Sequence, residues 1–267
     1  MFDHECGLAE RLLRRGGNVL MQMRGQPVEI TTKQSLSDVV TGADIASEAA
    51  MLALLAAESP DDGVLSEEAG LEPGRSGNDV WVIDPLDGTV NYLSGLDGFG
   101  VIVGLTRHGV PTVGGMYLPV TGDLYLAARG QGATLNGQRV HVSSTTRIED
   151  AVIDHSLSGA EPVLEAQDRT LRALLRHARA LRSTHSLEYL ARVAKGTCDG
   201  FVYHSLGLWD ICGPSVVLEE AGATVVGLAG GALDLSPTPA APTASYAAIA
   251  ANPDLVSQIL SAIGVPQ

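Results

Sequence analysis

Two aspartates three positions apart, Asp84 and Asp87, stand in the string Trp81-Val82-Ile83-Asp84-Pro85-Leu86-Asp87-Gly88-Thr89-Val90-Asn91-Tyr92. The string offers two carboxylates, a Leu86 carbonyl that the turn can leave unpaired, and backbone N–H groups after Gly88. Carboxylate and carbonyl oxygens are the donors that a hard divalent cation such as Mg²⁺ prefers, and free N–H groups at a glycine suit a phosphate. The plainer alternative is a proline-containing turn whose aspartates serve turn chemistry. Metal-assisted phosphate chemistry and a simple turn are both open on these residues alone.

The elements around the string decide how those oxygens are presented. Val80, Val82 and Ile83 are β-branched and Trp81 is aromatic, which predicts a buried strand that stops at Pro85 and leaves Asp84 at its end. Upstream, Val64-Leu65 predicts a short strand ending at Ser66-Glu67-Glu68, so neighbouring strands would bring Glu67 and Asp84 to one sheet edge. Adjacent glutamates are otherwise ordinary surface residues. Thr41 is a plausible N-cap for an Ala/Leu-rich helix over 44–58, which places Asp44 in its first turn. Asp210, after Leu208-Trp209, opens another helix and reads in isolation as a capping aspartate.

Taken together, the residues 84–92 behind Trp81-Val82-Ile83, the Ser66-Glu67-Glu68 triplet, the segment Asp38-Val39-Val40-Thr41-Gly42-Ala43-Asp44 and Leu208-Trp209-Asp210-Ile211-Cys212 resemble, in order and spacing, the motifs of the inositol monophosphatase family of metal-dependent phosphatases. The resemblance spans most of the chain. It implies an α/β protein, a layered αβαβα sandwich with an α+β N-terminal half and an α/β C-terminal half. It also implies that Glu67, Asp84 and the Leu86 carbonyl bind one Mg²⁺ and that Asp84, Asp87 and Asp210 bind a second, with a third, weaker ion near Glu67. Two carboxylates at ~4 Å repel by about 4 kcal/mol at an effective dielectric near 20, so such a cluster needs cations. By the same resemblance Thr89, Asp44 and Glu67 orient and deprotonate the attacking water, Gly88 and Thr89 hold phosphate oxygens, and the reaction is direct hydrolysis without a covalent intermediate. The substrate would be a small phosphorylated metabolite and the assembly a homodimer.

On the substrate side the chain departs from that pattern. His185, in Arg182-Ser183-Thr184-His185-Ser186, replaces a small residue of the family's turn, and Tyr203 stands where an acid often binds inositol hydroxyls. With Asp87, Gly88, Thr89 and Ser186, these two complete the candidate substrate-binding set. Val90-Asn91-Tyr92 resembles the inositol and sugar phosphatase branch, which ranks an inositol or sugar phosphate first, histidinol phosphate second and 3′-phosphoadenosine 5′-phosphate third. A reading of another class is a regulatory binding protein with a vestigial site.

The whole chain bounds these readings. Its 267 residues are 45% hydrophobic and 18% charged, enough for a sizeable core and not the composition of a disordered chain. The formal charge of −14 and the lack of a basic stripe argue against sequence-independent nucleic-acid binding. Cys6, Cys198 and Cys212 form no C-x-x-C pair and fit free thiols. The start Met1-Phe2-Asp3-His4-Glu5 lacks a signal-peptide pattern and no apolar run is long enough to span a bilayer, so the expectation is a cytoplasmic protein without a membrane partner.

Two halves are expected, 1–147 and 148–267. The first holds an amphipathic helix over 5–23 with Gly16-Gly17 as a weak point, a strand over 28–32 and a polar loop at Lys33, which either holds an anion or is solvated. Three strands over 99–107, 110–119 and 122–129 then build an antiparallel sheet, and Asn136-Gly137 is a hairpin turn. The second half should hold a strand over 151–154 and a helix over 162–180 that buries Leu164, Leu171, Leu174 and Leu175. Arg169, Arg172, Arg176 and Arg179 fall on that helix's other side, as a solvated face or a docking face. A helix over 187–194, a strand over 201–203, a helix over 210–221, a strand over 223–226 and a final helix from Asn252-Pro253 complete it.

Overall fold

The structure, a computed structural model, describes residues 2–27, 30–32, 39–75, 77, 79–157 and 161–265. Lys33 and Asp38 lie outside them. The chain opens with helix α1 (Asp3–Met23), the short antiparallel pair β1 (Ile30–Thr32) and β2 (Val39–Thr41), and helix α2 (Gly42–Glu58). Strands β3 (Gly63–Ser66), β4 (Gly70–Glu72) and β5 (Asp79–Asp87) follow, then the single turn α3 (Thr89–Leu93). Next come β6 (Gly100–Arg107), β7 (Val110–Leu118), β8 (Asp123–Ala128), β9 (Gly132–Leu135) and β10 (Gln138–Arg139). They form one eight-stranded sheet in the order β10-β9-β8-β7-β6-β5-β3-β4. Among the described residues its only parallel pairing is β3 with β5, in the register Ser66 to Ile83, which sets Glu67 beside Asp84 as the sequence predicts.

The remaining strands, β11 (Val152–His155), β12 (Ala180–Arg182), β13 (Gly200–Leu206), β14 (Thr224–Gly227) and β15 (Tyr246–Ala251), form a five-stranded sheet in the order β12-β11-β13-β15-β14. Helices α4 (Glu161–His177), α5 (Glu188–Ala194), α6 (Leu208–Glu220) and α7 (Pro253–Ala262) complete the chain. The layers read α1 and α2, large sheet, α5 and α6, small sheet, α4 and α7, because α6 packs on strands of both sheets. This is the expected αβαβα sandwich. One apolar cluster fills the space between α1, α2 and the large sheet, and another, around α5 and α6, joins the two sheets.

Several local expectations change. Strand β5 does not stop at Pro85; it runs on through an irregularity between Asp84 and Asp87, and Asp87 pairs again opposite Gly100. Pro85 is tolerated because the ladder is already interrupted there. Gly16 and Gly17 are not a weak point. A Cβ on Gly16 would come within 2.7 Å of the Met51 sulfur and one on Gly17 within 2.5 Å of the Tyr117 ring, so the pair lets α1 approach its neighbours closely. Helix α4 ends at His177, ahead of β12, and of its four predicted core leucines only Leu174 is buried. Leu164 and Leu175 are exposed, Leu171 is intermediate, and Gln167 and Thr170 occupy the inner face. Strands β12 and β15 were not anticipated. Among the described residues no helix is long and apolar enough to cross a membrane.

Candidate active site

The β5 irregularity, the end of β3 and the start of α6 deliver the acids to one place. Asp84, Asp87 and Asp210 bring carboxylate oxygens within 4.8 Å of one another. Asp210 is both a cap and a cluster member: at the third position of α6 it accepts a hydrogen bond from Gly207 N–H at 2.7 Å and still reaches the other two. Burial pushes Asp87 up to about 7, with the Leu187 N–H opposing and the Glu67 charge adding to the rise. Burial and the Asp87 charge push Asp210 up to about 7 as well. Asp84 is raised well above the usual carboxylate range by burial and by the charges of Glu67, Asp87 and Asp210. Carboxylates crowded into a buried space with their proton affinity raised by one another form a cation site by the chemistry of the donor set. The residues fit Mg²⁺.

Helix α2 braces this cluster with three polar residues on one face. Asp44 accepts from Thr41 N–H at 2.9 Å and from the Thr41 hydroxyl at 2.6 Å, closing a capping box, and its other oxygen lies 3.3 Å from the Thr89 hydroxyl. Burial raises the Asp44 carboxyl, against the Thr41 donors. Ser47 donates to the Pro85 carbonyl at 2.8 Å. Glu48, buried, accepts from the Ser66 hydroxyl and from the N–H groups of Glu68 at 3.2 Å and Ala69 at 3.0 Å, which fixes the strand end carrying Glu67. Ser47 and Glu48 were missed in the sequence, although their spacing from Asp44 in an otherwise Ala/Leu-rich helix carries the signal. The Leu86 carbonyl is not unpaired, since the Thr89 hydroxyl sits 3.1 Å from it, but a carbonyl has a second lone pair.

Gly88 takes the left-handed conformation at φ 83°, and a Cβ there would meet the Gly98 carbonyl at 2.8 Å and the Ser186 Cβ at 2.9 Å. Only glycine fits both the conformation and the space. Ser186 is buried against this turn, and the following Leu187 N–H donates to Asp87. The two unusual substrate-side residues are otherwise engaged. His185, exposed and at φ 55°, places its Nε2 2.7 Å from the Leu157 carbonyl. Tyr203, expected to face substrate, is a core residue at 4% exposure: its ring stacks on Tyr189 and its hydroxyl donates to Asp154 at 3.1 Å. The resemblance that put it on the substrate side did not reveal that inner packing partners were already there.

A family model described as the inositol monophosphatase family matches residues 4–263. The Nus factor SuhB of Haemophilus influenzae is 33% identical over 82% of this chain and 83% of that protein. The chloroplastic phosphatase IMPL1 of Arabidopsis thaliana is 32% identical over 85% of this chain and 63% of its own length. The structure of inositol monophosphatase from Anabaena superposes with a TM-score of 0.84 at 28% identity, covering 99% of this chain and 97% of that one. The Nus-factor name of the first relative is at odds with the expectation that this chain has no nucleic-acid partner, so that exclusion is not kept.

Proposed function

Because this chain belongs to the inositol monophosphatase family, we propose that it is a Mg²⁺-dependent phosphomonoesterase acting on a small phosphate monoester, an inositol or sugar phosphate first. The convergence of Asp84, Asp87 and Asp210 within 4.8 Å carries this reading. Asp84, Asp87 and Asp210, with Glu67 and the Leu86 carbonyl, would hold two Mg²⁺ ions, and a third, weaker ion belongs beside Glu67. Bound there, the metal supplies an acidified water and stabilises the departing alkoxide. The chain's own part is orientation and proton handling. Thr89 lies within hydrogen-bonding reach of both Asp44 and the Leu86 carbonyl, so its hydroxyl proton can be passed toward Asp44 while its oxygen accepts from a water. The left-handed Gly88 turns the backbone so that N–H groups face the phosphate. Histidinol phosphate and 3′-phosphoadenosine 5′-phosphate follow as substrates, and a homodimer is the assembly proposed.

The Nus-factor relative favours a second reading, a regulatory role that accompanies or replaces hydrolysis. The acid cluster and Thr89 are all present, which supports retained catalysis. Phosphate release from a panel of inositol, sugar, histidinol and nucleotide monophosphates, with Mg²⁺ and with EDTA, separates the two. The phosphatase reading expects Mg²⁺-dependent release from at least one monoester; none from any ester would leave the regulatory reading.

A further inference from the structure

We propose that Asp154 is a positioning residue that fixes how Asp87 presents its carboxylate to the metal. The inference rests on the metallophosphatase reading above. Asp154 ends the inner strand β11 and is fully buried, with no ion pair among the described residues. A buried carboxylate without a cation is costly, so its presence calls for a role. It accepts three hydrogen bonds from neutral donors: the Thr184 N–H at 3.3 Å, the Thr184 hydroxyl at 2.5 Å and the Tyr203 hydroxyl at 3.1 Å. Thr184 is held from its other side too, because Arg192, paired with Glu188 at 2.6 Å, donates to its hydroxyl at 3.3 Å.

Thr184 anchors the turn that reaches the metal site. His185 reverses the chain at φ 55°, Ser186 packs against Gly88, and the Leu187 N–H then donates to one oxygen of Asp87. That donor holds Oδ2 of a carboxylate that lies within 4.8 Å of those of Asp84 and Asp210. The position of the donor depends on the turn, and the turn depends on Asp154. The C-terminal half thus sets the geometry of a ligand that belongs to the N-terminal half, through a residue that touches neither metal nor substrate.

Mg²⁺ titration by calorimetry on the full chain tests this without any substrate. Asp154→Asn leaves one acceptor oxygen for three donors, and Thr184→Val removes the hydroxyl while keeping the shape. Each is expected to weaken the Mg²⁺ Kd by about 10-fold, in the range that outer partners of metal ligands contribute. Thr184→Ser, which keeps the hydroxyl, is expected to bind as the parent does. Thermal melts of the Mg²⁺-free forms identify a variant that has lost its fold, and Thr184→Val then carries the test if Asp154→Asn does not fold. Folded variants with the parent's Mg²⁺ affinity would overturn the inference alone. A parent chain that takes up no Mg²⁺ would overturn the metal reading and this inference with it.

Discussion

The two walls of the site are built from the same kinds of residue but use them differently. On the wall formed by β3, β5 and α2, Asp84 and Asp87 meet Asp210 and feel the charge of Glu67, while Asp44, Ser47 and Glu48 brace them from behind. On the wall formed by β11, β13 and the turn before α5, polar side chains are consumed internally, Tyr203 and Thr184 by Asp154 and His185 by the Leu157 carbonyl. On the first wall burial and neighbouring charges raise the proton affinity of Asp84, Asp87 and Asp210; on the second Asp154, Thr184 and Tyr203 satisfy one another, while both ring nitrogens of His155 and Nε2 of His204 find no hydrogen-bond partner among the described residues. Buried carboxylates crowded together mark a cation site, and a buried carboxylate held by neutral donors marks scaffold.

Removing an acid from the first wall should have the largest effect. Asp210→Asn keeps the size and one acceptor for Gly207 N–H but takes away a charge that the cation requires. Turnover should fall beyond the roughly 100-fold that loss of an outer partner costs, with the fold retained because a buried repulsion is relieved. Phosphate release with saturating Mg²⁺ measures it, and undiminished activity would erase the contrast between the walls. Burial of the first wall's acids, with neighbouring charges adding to it, makes a smaller, pH-dependent mark on the metal-free chain. Asp87 and Asp210 titrate near 7 when folded, against about 3.9 when unfolded. Between those values the folded chain holds protons that the unfolded chain has released, so the stability these groups lend is complete at low pH and is lost as pH rises through about 7. In EDTA the Tm should therefore fall by on the order of 5 °C between about pH 5 and about pH 8. Saturating Mg²⁺ should flatten that slope, and a flat profile in EDTA would mean that the acids are not buried together.

What the sequence disclosed follows the same division. Asp84 and Asp87 were legible because metal chemistry restricts residue type and spacing, Asp210 only through the resemblance to the family's motifs, and the pairing of β3 with β5 followed from where two apolar runs ended. The capped start of α2 and the Asn136-Gly137 turn, both residues at positive φ, were legible as local backbone chemistry. Strand β15 was not: Tyr246-Ala247-Ala248-Ile249-Ala250-Ala251 is alanine-rich, a composition that reads as helix or loop. It is a strand because Ala248 and Ala250 enter the core shared with α6 while Ile249 and Ala251 enter the one under α7, a tertiary demand invisible in propensity. Helix α4 misled in the reverse direction, since its leucines matched a helical stripe but the inner face went to Gln167 and Thr170. Asp154 and Thr184 were overlooked because a hydrogen bond between residues 30 positions apart leaves no periodic trace.

The mildest substitution sharpens the comparison most. Tyr203→Phe keeps the ring that stacks on Tyr189 at 3.9 Å and meets Phe201 edge-on, and removes only the hydroxyl that donates to Asp154. Two donors from Thr184 remain on that carboxylate, so the turn before α5 stays held. The loss should be about 1 kcal/mol of stability, the net worth of one hydrogen bond. kcat/KM should stay within about 3-fold of the parent, because a side chain 4% exposed has no free donor to offer a substrate. A hydroxyl that instead bound substrate would, when deleted, raise KM by well over 10-fold, as sites built around a polar contact do. A melt and a substrate-saturation curve on one variant therefore tell whether the second wall is scaffold or contact surface.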